Sequence, residues 1–186
     1  MGVQERLYTA TELLALPSDG KRYELIEGQL IDMAPTGAPH GLLSAEFAYL
    51  LRTFTREHDS GQVYGAETGF RLAENPDTVL GVDAAFISKA RLKPDQKGYI
   101  EGAPDLAVEI ASPGNTKTEL HDKVKLYFQA GAQLVWIVYP HSRAIYVYTT
   151  PHDIKVLEQN ETLTGDNVLP GFAVKVSEIF AVLDNK

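Results

Sequence analysis

The sequence contains no cysteine, which rules out a disulfide framework and a thiolate zinc site and makes a reducing, cytoplasmic setting the default expectation. It also has no run approaching the ~20 apolar residues of a membrane span, and Met1 to Arg6 carry no apolar core of a secretory signal. Basic residues are scarce, 17 Lys and Arg against 25 Asp and Glu, for a formal charge of −8. That balance argues against a broad basic surface and avid non-specific nucleic-acid binding. It leaves room for a locally basic cleft, and Lys89, Arg91, Lys93 and Lys97 cluster in sequence. Repeats, low-complexity tracts and linkers are missing too, so the expectation is one domain over residues 1–186. What remains is an ordinary globular composition, 44% hydrophobic and 23% charged, on a chain long enough to bury a core without staples.

Periodicity divides the chain into mixed elements. Thr9 opens a short helix from Ala10 to Leu16, before Pro17. Tyr23 to Met33 reads as a hairpin around Glu27-Gly28. A long helix is expected from about His40 to about His58, with Leu43, Phe47, Leu50, Leu51 and Phe54 as its apolar stripe. Strands follow near 62–72, 79–88 and 104–111. Thr116-Lys117-Thr118-Glu119 is a capping box that starts a helix ending at Gly131. Leu134 to Val138 reads as a buried strand, Ala144 to Thr149 and Ile154 to Glu158 as a hairpin pair, and 177–183 as a short amphipathic turn. The expected architecture is mixed α and β, a central sheet packed by two long helices.

Glu109 stands out. It lies in Pro104-Asp105-Leu106-Ala107-Val108-Glu109-Ile110-Ala111-Ser112-Pro113, an apolar run with a proline at each end. A carboxylate buried there must be paired, hydrogen-bonded or bound to a cation, because burying it alone costs several kcal/mol. Strand alternation puts Asp105, Ala107, Glu109 and Ala111 on one face and Leu106, Val108 and Ile110 on the other. Two alanines therefore leave room beside the Glu109 carboxylate. Upstream, Thr78 to Ile87 is a second apolar strand with a single acid, Asp83. Two adjacent strands with one inward acid each make a site for a hard divalent cation. The bland alternatives are an ion pair for Glu109 and a turn cap after Gly81 for Asp83. Asp105, directly after Pro104, reads as a strand-entry acid, since ligands must come from neighbouring strands to surround a metal.

Val108 to Pro113, then Lys123, Tyr127, Ala130-Gly131 and Val135 to Pro140, resemble the Uma-two family of restriction-endonuclease-like proteins. Tyr23 to Gly28, His40 at a helix start, and Asp83 in an apolar strand resemble it as well. The likeness runs from about residue 10 to about residue 150. It implies a restriction-endonuclease-like fold, a mixed central sheet flanked by helices with extra β-hairpins. It also implies PD-(D/E)xK chemistry: phosphodiester hydrolysis, most simply of DNA, with Mg²⁺ or Mn²⁺ held by Asp83, Glu109 and the Ile110 carbonyl.

Two positions depart from that pattern. Val82 stands where the motif has proline, and Ala111 where it has lysine. Lys117, Lys123 and Lys125 on the following helix are the candidates to replace the lysine. At ~100° per residue Lys123 borders the buried stripe of Leu120, Val124, Tyr127 and Phe128, whereas Lys125 points away and Lys117 sits in the first turn. Lys123 is the choice, with Glu119 four residues earlier as an orienting partner. His40 is either a core or capping histidine or a group at the site edge that orients water or contacts phosphate. Glu24 is either solvent-facing or a third acid, favoured by the match; Glu67 is a weaker candidate. Trp136, Tyr146 and Tyr148 read as core or interface residues.

The alternative to a nuclease is an inactive nuclease-fold module binding nucleic acid or protein, favoured by Ala111 and the negative charge. A third reading is a hydrolase of small phosphorylated substrates. A two-fold homodimer would address both strands of a duplex. Its adhesive material would be Ile145, Val147, Trp136 and the tail Val176, Ile179, Phe180 and Val182, unless these cover the subunit's own core.

Overall fold

The computed structural model of the chain describes residues 6–17, 20–94 and 96–184. The signal reading of Met1 to Arg6 therefore falls, apart from Arg6, outside the described residues. In chain order the elements are α1 (Ala10–Leu14), β1 (Arg22–Ile26), β2 (Gln29–Met33), α2 (Ala38–His58), β3 (Gly61–Tyr64), β4 (Thr68–Ala73), β5 (Thr78–Val82), β6 (Ala84–Ser88), β7 (Ile100–Glu101), β8 (Leu106–Ile110), α3 (Lys117–Gln129), β9 (Leu134–Tyr139), β10 (Ala144–Thr150), β11 (Asp153–Leu157), β12 (Thr162–Gly165), β13 (Leu169–Lys175) and α4 (Val176–Phe180).

Local chemistry accounts for the element ends. Thr9 caps α1 and Thr116 caps α3, each in a reciprocal box with the glutamate three residues on, Glu12 and Glu119. Glu27 and Gly28 take φ of 50° and 80°, the left-handed pair that a tight hairpin turn requires. A Cβ at Gly28 would also come within 2.9 Å of Leu7. α2 begins two residues before the expected His40, because Pro39 favours the first turn, and ends on Asp59 in the left-handed region.

The expected strands 62–72 and 79–88 each divide in two. β3 and β6 pair in one sheet, with Tyr64 opposite Ala85, while β4 and β5 pair in another, with Thr68 opposite Val82. One long antiparallel ribbon thus crosses between sheets, bending at residues 65–67 on one strand and at Asp83 on the other. The larger sheet runs β11-β10-β9-β8-β6-β3 and the smaller β2-β1-β5-β4-β7, with β12-β13 as a separate hairpin. β8 and β9 are parallel and joined by α3, as a crossover connection demands.

The faces of β8 divide as alternation predicts. Leu106, Val108 and Ile110 pack with Leu43, Phe47 and Leu51 of α2, with β12-β13 and with α4. Ala107 packs on the other side with Leu120, Val124 and Tyr127 of α3 and with Phe70, Leu80 and Val82 of the smaller sheet. Glu109 faces this second side. The material read as adhesive for a dimer is consumed by the first: Trp136, Ile145, Val147, Val176, Ile179 and Phe180 are buried in the subunit's own core, with Val182 packed on it. The described part of the tail packs on α2 and on β13, which belongs to a hairpin that the sequence reading did not include. No helix among the described residues is long and apolar enough to cross a membrane.

Candidate active site

The bend at Asp83 fixes the first acid. Leaving the smaller sheet after Val82 turns the Asp83 carboxylate toward the end of β8, where Oδ2 accepts a hydrogen bond from the Ile110 amide at 2.8 Å. That amide belongs to the peptide bond that follows Glu109, so the two acids flank one peptide unit from adjacent elements. His40, in the first turn of α2, brings Nε2 to 3.1 Å from the same Oδ2, and Ser44 one turn on donates to the Asp83 carbonyl at 3.1 Å.

Glu109 is 5% exposed at the end of β8. Its Oε1 accepts from the Tyr127 hydroxyl, and its Oε2 lies 3.6 Å from Lys123 Nζ. Lys123 donates to Glu24 Oε1 at 2.8 Å, and the Gly81 amide reaches that same oxygen at 3.1 Å. Glu24, also 5% exposed, is therefore a third acid of the cluster rather than a solvent-facing residue. β1 reaches the site because it pairs with β5, which leads into Asp83.

Three carboxylates thus share one ammonium, and the excess negative charge shows in the acid–base balance. Burial pushes the Glu109 carboxyl up to about 7; Lys123 draws it down, while Asp83 and Glu24 push it further up. Burial opposes the charge on Lys123, but Glu109, Glu24 and Asp83 overcome it and raise its pKa. The two shifts are compatible because burial outweighs the single ammonium at Glu109, whereas three nearby carboxylates together outweigh burial at Lys123. Burial, reinforced by Glu109, raises the Tyr127 phenol well above its ordinary value, which keeps it a donor.

The donor pattern fits a hard cation. Every hydrogen bond to Asp83 and Glu24 falls on one oxygen, leaving Oδ1 of Asp83 and Oε2 of Glu24 without one among the described residues. No three His, Asp or Glu side chains among those residues form a ready metal cage. Ile110 ends β8, where its carbonyl leads into the loop toward α3.

The remaining candidates lie elsewhere. Lys125 is half-buried, on the side of α3 away from the acids, and pairs with Asp122 at 2.9 Å, and Lys117 sits exposed at the first position of α3. Glu119 does not orient Lys123: its carboxylate accepts from the Thr116 amide at 2.8 Å, because the cap takes it first. Glu67 is exposed and pairs with Arg22. Asp105 is a structural acid, bound by Arg91, Gln133 and the Ser88 amide. With Lys89 on Asp59, half of the cluster read as a basic cleft is spent in ion pairs. Tyr127 figures in the sequence as part of the family resemblance and of the buried stripe, without a role at the site; its place one turn from Lys123 was the available signal.

A family model described as Uma2, "Putative restriction endonuclease", matches residues 10–177. Among solved structures, the crystal structure of a "putative nuclease belonging to DUF820" from Anabaena variabilis ATCC 29413 is similar, with a TM-score of 0.81 at 20% identity. The match covers 94% of this chain and 98% of that one, which shows a shared fold. No curated protein matches.

Proposed function

The chain belongs to the Uma2 family, and we propose that it is a divalent-metal-dependent nuclease acting on DNA through Asp83, Glu109 and Lys123. One observation carries this reading: the buried carboxylates of Glu24 and Glu109, the half-buried one of Asp83 and a single lysine converge where β5, β8 and α3 meet, with negative charge left over for a divalent cation. Asp83, Glu109 and the Ile110 carbonyl would hold Mg²⁺ or Mn²⁺. Such an ion, when bound, lowers the pKa of a coordinated water and neutralises charge on a phosphate.

The protein's own share follows from the contacts. Lys123, on α3, supplies the positive charge that the family motif carries at the Ala111 position. Glu24 holds its ammonium beside Glu109, where it can position the attacking water and offset the charge that develops on the phosphate. His40 steadies Asp83 and supplies a donor at the site edge. The apolar wall of Leu80, Val82 and Ala107 limits water around Glu109 and strengthens each of these interactions.

Incubation with duplex and single-stranded DNA in Mg²⁺ or Mn²⁺ tests the reading. Cleavage should fall at least about a thousandfold in Asp83→Asn, Glu109→Gln and Lys123→Ala, with the fold intact by circular dichroism. Metal binding without cleavage of either substrate would favour the non-catalytic module that Ala111 suggests, and turnover of a small phosphodiester alone would favour the small-substrate hydrolase. A homodimer addressing both strands would sediment at twice the mass of the 20.5 kDa chain.

A further inference from the structure

We infer that Tyr127 is a positioning residue that fixes which oxygen of Glu109 is offered to the bound cation. The inference rests on the metal-site reading above. Tyr127 and Lys123 lie four residues apart on α3, so both project from one side of the helix toward the end of β8. Between them they address both oxygens of one carboxylate: the Tyr127 hydroxyl donates to Oε1, and Lys123 stands 3.6 Å from Oε2. Two contacts on opposite oxygens restrict rotation about the carboxyl bond, which a single contact would leave broad. With one lone pair of Oε1 already occupied, Glu109 is best placed to give Oε2 to the ion, as a one-oxygen ligand. Its second oxygen is then anchored to a ring that is fully buried among Leu120, Val124 and Ala107.

The core does not require the hydroxyl. Phenylalanine would fill the same space, yet the chain buries a phenol, and Glu109 is its hydrogen-bond partner. Were that hydroxyl placed for packing alone, it would carry a desolvation cost without a partner. Contacts of this kind, one step removed from a metal, typically change its affinity by about ten- to a hundredfold when lost.

The test is Mn²⁺ titration, followed by calorimetry, of the full chain, Tyr127→Phe, Glu109→Gln and the double variant, with no nucleic acid present and thermal melting run in parallel. Tyr127→Phe should weaken Mn²⁺ binding about tenfold or more while its melting stays cooperative. In the Glu109→Gln background the same change should weaken binding no further, because Tyr127 acts through Glu109. Unchanged Mn²⁺ affinity in Tyr127→Phe would overturn the inference, as would an equal loss with and without Glu109. If the unaltered chain binds no Mn²⁺, the metal-site reading itself fails, and this inference with it; that outcome is distinct from a failure of Tyr127 alone.

Discussion

Asp105 and Glu109 stand on one strand segment, four residues apart and on one face, and both are buried, at 1% and 5% exposed. Their chemistry is opposite. Burial works against the charge of Asp105, but the Ser88 amide at 2.7 Å and Arg91 at 2.9 Å prevail and hold its carboxyl below the ordinary range. Gln133 adds a further donor at 2.7 Å. Glu109 has one hydroxyl and a share of one ammonium, and burial lifts it to about 7. Burial alone therefore does not mark a candidate site acid; burial left under-compensated does. Asp105 ties β8 to its neighbours, whereas Glu109 is kept short of partners that a substrate complex could supply.

Substitution should separate the two. Glu109→Gln is expected to cause the largest change, at least about a thousandfold loss of metal-dependent cleavage, with stability near neutral pH equal to or above that of the unaltered protein, since a buried charge is removed. Asp105→Ala should do the reverse, lowering stability by about 2–4 kcal/mol through the loss of three donors' partner while cleavage per folded molecule persists. Denaturant unfolding and cleavage assays on both variants check this. A loss of cleavage in Asp105→Ala at full foldedness would erase the distinction.

The pH dependence of the metal-free protein should run in opposite directions at the two positions. The folded value of Glu109, about 7, lies above its ordinary 4.5. Between those values the folded chain keeps a proton that the unfolded chain has released, so this contribution is present at low pH and is lost as pH rises toward 7. Its full size is about 3 kcal/mol. Asp105, with a lowered folded value, contributes stability above its ordinary 3.8 that is lost as pH falls further. Unfolding measured from pH 4 to 8 should show a decline on the neutral side that Glu109→Gln flattens. A decline that survives that substitution would assign the slope to another group.

The same two acids mark what the sequence could reveal. Alternation along an apolar strand put both on one face, the place of Asp105 directly after Pro104 set it below Glu109, and helical spacing picked Lys123 over Lys125, because each inference needs only local geometry. The sheet switch at Asp83 was not legible: Thr78 to Ile87 is apolar on both sides of Asp83, and only the partner strands show that it changes sheets. Glu24 stayed ambiguous for a related reason, since alternation says which residues share a face but not what covers it. Glu119 was assigned to Lys123 although Thr116 had a prior claim on it, a case of one side chain counted twice. The hairpin of β12 and β13 escaped notice because Gly165, Pro170 and Gly171 break up the pattern of its short strands.

The smallest expected effect lies on the far side of α3 from Lys123. Lys125 is two residues beyond Lys123 on α3, about 200° around the axis, so one lysine faces the acids and the other faces water. Its pair with Asp122 is an exposed contact three residues apart on the helix. Solvent screens such pairs, and they contribute about 0.5 kcal/mol or less. Lys125→Ala should therefore leave cleavage, Mn²⁺ affinity and melting almost unchanged. Lys123→Ala should abolish cleavage, because it strips the one ammonium from three carboxylates. Cleavage lost in Lys125→Ala and kept in Lys123→Ala would place the working charge on the outer face of α3. The under-compensated cluster around Glu109 would then be a strained piece of core rather than a site.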